Sequence, residues 1–450
     1  NTDVNYNSKF NLSITSVTAR ATPTSPITMT SGVAIVYITD TKAGVYTIVG
    51  DSTGLNGDTI TFTVNPGSIY NIGINITADT NVTADISQVI IKANVTDTYV
   101  NPVTDGTTIY WYYQDTGSVN TGSGAGLSAS SSLTTSGTAQ ITLTTSTKGG
   151  DNYIIIASSK SNDTEANAKP DTSGTISVIG GAVSTIDVFP SSNENISADT
   201  RMRTIYAYPT DQYGNTVPNG TSVSCTWLDY GGGNIANSMV SINYSSTTTI
   251  SGTSTFIFTT SDSAGDNYQV ICTSNTKTDT TGILTVIAGV ASNITITPGS
   301  GNIIAGETQV ITATVKDARG NLKSGESVTI EILTDADLDG TLSEDPINAG
   351  ITNVWSAIAR YGNSDANGVV TVKYTASSTT NQYDTVNAFS SSVPSSLTTD
   401  RVYRTVPASA SKLDIIQSSL SITAGSTGTI TVAALDNNNN TDVNYNSKFN

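Results

Sequence analysis

The stretch TDADLDGTLSED, Thr334 to Asp345, gathers the groups best suited to hold a hard cation. Asp335, Asp337 and Asp339 alternate, and Gly340 lets the chain turn sharply, which is the opening half of an EF-type calcium loop. The bidentate Glu that closes such a loop would fall at Pro346, so Glu344 or Asp345 has to substitute. Ca2+ is therefore the one cofactor expected, with a solvated acidic loop as the plain alternative. NSDANG, Asn363 to Gly368, has a similar outline but reads as an Asn-Gly hairpin.

Little else in the chain suggests catalysis. There is no histidine, which removes the commonest general base and transition-metal ligand. Two cysteines exclude a disulfide-dense scaffold and a cysteine-based zinc site. No Gly-rich phosphate loop follows a strand and no nucleophile elbow is present, so no enzyme is expected. The aromatic run YWYY, Tyr110 to Tyr113, could line a sugar-binding surface, but alternation turns half of it into a core. A net charge of −17 with only 19 Lys and Arg argues against nucleic acid and anionic membranes as partners. No apolar run approaches the roughly 18 residues a membrane span needs, so no insertion is expected in this segment.

The elements that must position these groups are strands. Charged residues make up 12% of the chain and hydrophobic residues 36%, with Val, Ile and Tyr recurring in short alternating runs. Three segments share one order of features. An opening strand (SIYNIGINIT from Ser68, AVSTIDVFP from Ala182, VASNITITP from Val290) precedes a second that ends near an Asp (QVIIKANVTD, RTIYAYPTD, QVITATVKD). A polar turn and a Gly launch a third strand, DGTTIYWYY, NGTSVSCTW or SGESVTIEI. A tyrosine-led strand then finishes the unit: DNYIIIASS from Asp151, DNYQVICTS from Asp266 and QYDTVNAFS from Gln382. One wet and one buried face per strand, with turn signals every 8–12 residues, indicate immunoglobulin-like sandwiches. The expected fold is all-β, a linear array of three such domains at residues 70–181, 182–289 and 290–408.

The ends are a separate problem. NTDVNYNSKFN stands at residues 1–11 and again at 440–450, 439 positions on. SKLDIIQSS from Ser411 and GTITVAALD from Gly428 read as a first and second strand with nothing after them, whereas KFNLSITSV from Lys9 reads as a third. Residues 1–69 and 409–450 are thus expected to be the back and front of one split sandwich. Either the array repeats in tandem within one polypeptide, or separate copies complete each other by strand addition. Other copies of the same chain are therefore the expected partners, head to tail and also side by side.

DQYGNTVPNGTSVSCTW (Asp211 to Trp227), KDARGNLKSGESVTIEI (Lys316 to Ile332) and SDANGVVTVKYTAS (Ser364 to Ser377) resemble bacterial and archaeal Ig-like domains of the invasin and intimin type. That resemblance implies extracellular rods, stalks and adhesins. The first domain departs from it, since TDTYVNPVTDG lacks the Gly-Asn turn. Within such a sandwich Cys225 and Cys272 point into one core from neighbouring strands, and a disulfide between them is expected. N-x-Ser/Thr sequons at Asn11, Asn75, Asn81, Asn94, Asn162, Asn195, Asn219, Asn243 and Asn293 are candidate glycosylation sites, with Asn162 and Asn219 in loop-like contexts. The expected function is the structural repeat unit of an extracellular filament, stalk or sheath; the rival is an adhesin stalk presenting a distal binding domain.

Overall fold

The computed structural model describes residues 2–76, 80–84, 88–117, 125–231, 239–334, 339–344, 353–356, 358–417 and 419–446. Among them strands dominate, and the one helical element is the 3-10 turn Ser395–Leu397. No helix is long and apolar enough to cross a membrane.

Residues 182–289 show the plan most clearly. One sheet runs Thr185–Phe189, Met202–Thr210, Ser254–Thr259, Ser241–Ile242. The facing sheet runs Glu194–Ser197, Leu284–Ile287, Asn267–Ser274, Ser222–Gly231, Ser246–Thr248. The opening segment crosses from the first sheet to the second, where Glu194–Ser197 pairs parallel with Leu284–Ile287; the other ladders are antiparallel. Residues 70–181 and 290–408 repeat this order, the last with Ala359–Asn363 in the place of Ser246–Thr248 and Asn353–Ser356 added beyond it. The sandwiches are immunoglobulin-like.

Alternation decides which face is buried. Asn267–Ser274 reads exposed-side, core-side in strict turn, sending Tyr268, Val270 and Cys272 inward to meet Phe256 and Phe258. Trp111 goes inward from Tyr110–Tyr113, so the aromatic run divides between core and surface. The tyrosine-led strands carry a buried carboxylate: Asp151 and Asp266 accept from the hydroxyls of Tyr153 and Tyr268. The third sandwich differs. Tyr383 is exposed, and Tyr374 from the neighbouring hairpin strand enters the core and donates to Asp384. A one-residue shift in the Gln-Tyr-Asp order turned Tyr383 to the other face.

Residues 2–69 hold a four-stranded sheet, in the order Ile27–Thr28, Lys9–Ile14, Gly44–Asp51, Asp58–Val64, and a separate pair, Arg20–Thr22 with Tyr37–Thr39. Past residue 408 the described residues form one hairpin, Lys412–Ile415 against Val432–Leu435. Three clusters of buried apolar residues fill the sandwiches between residues 70 and 408, and among the described residues the end segments add only half-buried Ile69, which packs against the first of them.

Candidate functional site: clamps between sandwiches

The chain's most repeated polar construction sits where one sandwich meets the next. The second strand of each unit ends in an Asp, and four residues later comes an Asn: Asp97 and Asn101, Asp211 and Asn215, Asp317 and Asn321, Asp436 and Asn440. At 0–3% exposed, the four carboxylates are buried, so each must be fully hydrogen-bonded.

In the middle joint Asp211 Oδ1 accepts from the backbone N–H of Tyr213 and of Asn215, both at 2.9 Å, which closes the turn. Its Oδ2 accepts from the linker N–H of Gly181 at 2.9 Å and from Asn215 Nδ2 at 2.8 Å. Asn215 then reaches across the boundary. Its Nδ2 donates to the Thr147 carbonyl at 2.8 Å, and its Oδ1 accepts from Gly149 N–H at 2.9 Å. A side-chain amide thus pairs with the preceding sandwich's backbone much as a peptide group does in a sheet.

The other joints repeat the pattern. Asn101 grips Thr41 and Ala43, and Asn321 grips Asp262 and Ala264. Asn440 grips Ser378 and Thr380. Gly67, Gly289 and Ala408 supply the linker N–H to Asp97, Asp317 and Asp436. Arg319 adds an ion pair to Asp262, 3.5 Å across its joint. Each clamp fixes turn, linker and neighbour through one carboxylate and one amide, so adjacent sandwiches are held in a set relation.

The turn needs a left-handed residue just before the Asn, filled by Gly214 (φ +79°) and Gly320 (φ +90°). Val100 (φ +65°) and Asn439 (φ +66°) take the same place in the other two turns. The first sandwich therefore departs from its relatives at one residue and keeps the clamp. The signal of the clamp in the sequence is Asp and Asn at a spacing of four, not the Gly-Asn pair.

Burial alone would raise these carboxyls, but the donors that surround them outweigh it. Hydrogen bonds from Asn101, Gly67 and Tyr99 hold Asp97 at about 2 instead of the ordinary 3.8, and Asp211, Asp317 and Asp436 are lowered for the same reason. A carboxyl lowered by folding stabilises the fold above its unfolded value and loses that contribution as pH falls through the folded one. The expected result is constant inter-domain order from pH 7 down to about 4, then loosening toward pH 2. Small-angle scattering of the chain through an acid titration measures this; an unchanged profile at pH 2 would contradict it.

The sequence-predicted sites are placed as follows. Asp335, Asp337 and Asp345 lie outside the described residues, as does the side chain of Glu344. Asp339 accepts from the N–H and hydroxyl of Ser378 at 3.3 and 3.2 Å. Among the described residues no group of three or more acidic, His or Cys side chains gathers as a metal site. Cys225 and Cys272 are direct cross-strand partners, joined as a disulfide with their Cα atoms 4.1 Å apart. The same position holds Trp111 opposite Ala157 and Ile330 opposite Ala388 in the other two sandwiches. All nine sequon asparagines are exposed. Asn162 and Asn219 each accept a backbone N–H with the side-chain carbonyl, from Thr164 and Ser251.

No family model and no curated protein matches the chain. Among solved structures it is similar to the Escherichia coli adhesin FdeC, at 20% identity over 76% of this chain and 100% of that one, TM-score 0.49. It is also similar to invasin, a bacterial integrin-binding protein, at 17% identity over 92% and 74% of the two chains, TM-score 0.40. A further similar structure is surface layer protein SbsC, domains 1–6, at 16% identity over 98% and 54%, TM-score 0.24.

Proposed function

We propose that the chain is a structural segment of an extracellular surface filament, stalk or sheath, and that copies of it join end to end through the sandwich divided between residues 1–69 and 409–450. The observation that carries this is the clamp. A construction that spends a buried carboxylate and a buried or half-buried amide on every boundary, four times over, makes sense when the relation between neighbours is the working property. Isolated binding modules on flexible linkers have no use for it. Load or spacing is passed from sandwich to sandwich through backbone-to-amide hydrogen bonds, and a surface with −17 net charge keeps the arrays dispersed in solution. The experiment is the solution mass of the 450-residue chain as its concentration rises. Joining end to end predicts a growing series of multiples; a single unchanging mass would remove the end-to-end part of the reading.

A further inference from the structure

The geometry points to a specific junction: residues 412–435 of one copy enter residues 9–64 of a second copy and complete its sandwich in a fixed register. This assignment rests on the reading that copies join end to end, and it names the strands and the partner.

The donor side is recognisable by what it leaves exposed. Leu413, Ile415 and Ile430 are 50%, 57% and 51% exposed. Matched by their pairing to residues two and four before the clamp Asp, and for Ile430 by its place six before it, their counterparts are Ile72, Ile74 and Ile91 in the first sandwich and Ile186, Val188 and Ile205 in the second. Every one of those is at most 5% exposed. The hairpin pairs Leu413 with Ala434 and Ile415 with Val432, the register of the complete domains, so its fold is already that of a sandwich's first two strands. Among the described residues no second sheet covers its inner face.

The acceptor side lacks what the donor offers. In the complete sandwiches the second strand pairs with the strand before the tyrosine-led one, as Gln88–Thr96 does with Thr138–Thr144. The counterpart of Thr138–Thr144 here, Tyr37–Thr39, pairs among the described strands with Arg20–Thr22 alone. The last strand of each complete sandwich also takes a parallel neighbour from the opening segment. Asp58–Val64, its counterpart, is an edge strand with that side unoccupied by any described strand.

The linker clamps fix the register of that missing neighbour. Gly67, Gly181 and Gly289 play one role, so Val64 corresponds to Val178 and Val286. Ile196 pairs with Val286 and is followed two residues later by Ala198, whose N–H bonds Ile287. Ile422 and Ala424 have that spacing. Ile422 of the donor therefore lies beside Val64 of the acceptor, Leu420 beside Phe62 and Ser421 beside Thr63.

A contact at Gly32 shows where donor and acceptor meet. In the second sandwich Gly252 is packed against Thr216, the residue after the clamp Asn. Gly32 is packed against the Asp3 carbonyl, 2.2 Å from where a Cβ would stand, and against Thr2, whose Cγ2 lies 2.9 Å from it. The acceptor half thus takes up the sandwich one residue past the donor's clamp at Asn440. With the halves joined, the junction becomes the interior of a sandwich, and every joint along the array is the same Asp-Asn clamp.

The test uses the whole chain with single cysteines at exposed, outward positions. Ser421→Cys protein mixed with Thr63→Cys protein, then treated with a short bis-maleimide cross-linker whose two ends each add one thiol, is expected to give a covalent pair of copies. Thr59→Cys, four residues or about 13 Å along the strand, is expected not to. Association of the copies with no Thr63 cross-link above the Thr59 control overturns the register and leaves end-to-end joining standing. If the Ser421→Cys/Thr63→Cys double variant links only within one copy, the partner assignment is overturned. A chain that stays monomeric at every concentration overturns both the junction and the end-to-end reading. Ile430→Asp, at a position exposed in the unjoined chain, is expected to abolish the cross-link between Ser421→Cys and Thr63→Cys copies; an undiminished yield overturns the docking.

Discussion

Asp211→Ala should lower the stability of the 182–289 sandwich by about 3–5 kcal/mol, among the largest effects a single change in the chain can have. The carboxylate accepts four hydrogen bonds, from Gly181, Tyr213 and both donors of Asn215. Alanine leaves these donors at a buried site without an acceptor, and each unsatisfied donor costs about 1–3 kcal/mol before water relieves some of it. Asn215 would also lose the partner that holds its amide toward Thr147 and Gly149. Two readouts should therefore move together. Urea unfolding, followed through Trp227 against Tyr268, should shift to a lower midpoint. Scattering in native buffer should show a wider spread of inter-domain distances. A lower midpoint with unchanged inter-domain distances would mean that Asp211 only closes its own turn and that the clamp does not set orientation.

Removing the Cys225–Cys272 link is expected to cost the same sandwich about 4 kcal/mol, because the bond constrains a 47-residue separation in the unfolded chain. The neighbouring sandwiches hold no cysteine and should be unaffected, so the unfolding curve should split into an early and a late transition. Both sulfur-bearing side chains are buried, at 1% and 0% exposed, so the change is best made as Cys225→Ala and not by adding reductant to folded protein. The Trp111–Ala157 pair shows that this position can be filled by packing alone. A midpoint unchanged by Cys225→Ala would contradict the expectation.

Much of the architecture was legible because it is written in period-two alternation. Runs such as QVITATVKD and DNYQVICTS announce strand, inward face and partner at once, and the strands lie where those runs are. The third sandwich misled at Tyr383, since a tyrosine beside an Asp looks the same one residue out of phase. The clamps were harder to see. An Asp before a polar turn and an Asn after it are ordinary turn residues, and nothing local shows that Asn215 will bond with Thr147 and Gly149, over sixty residues back. Only the spacing of four, recurring at Asp97, Asp211, Asp317 and Asp436, carried the information. The acidic run from Asp335 was conspicuous as charge, yet of its five acidic side chains only that of Asp339 lies among the described residues.

The most direct test of the account is light scattering, coupled to size separation, on the 450-residue chain across a wide concentration range. End-to-end joining predicts masses that climb through whole multiples of one chain and fall back to one for Ile430→Asp. A single chain mass at every concentration, identical for the parent and Ile430→Asp proteins, would contradict it.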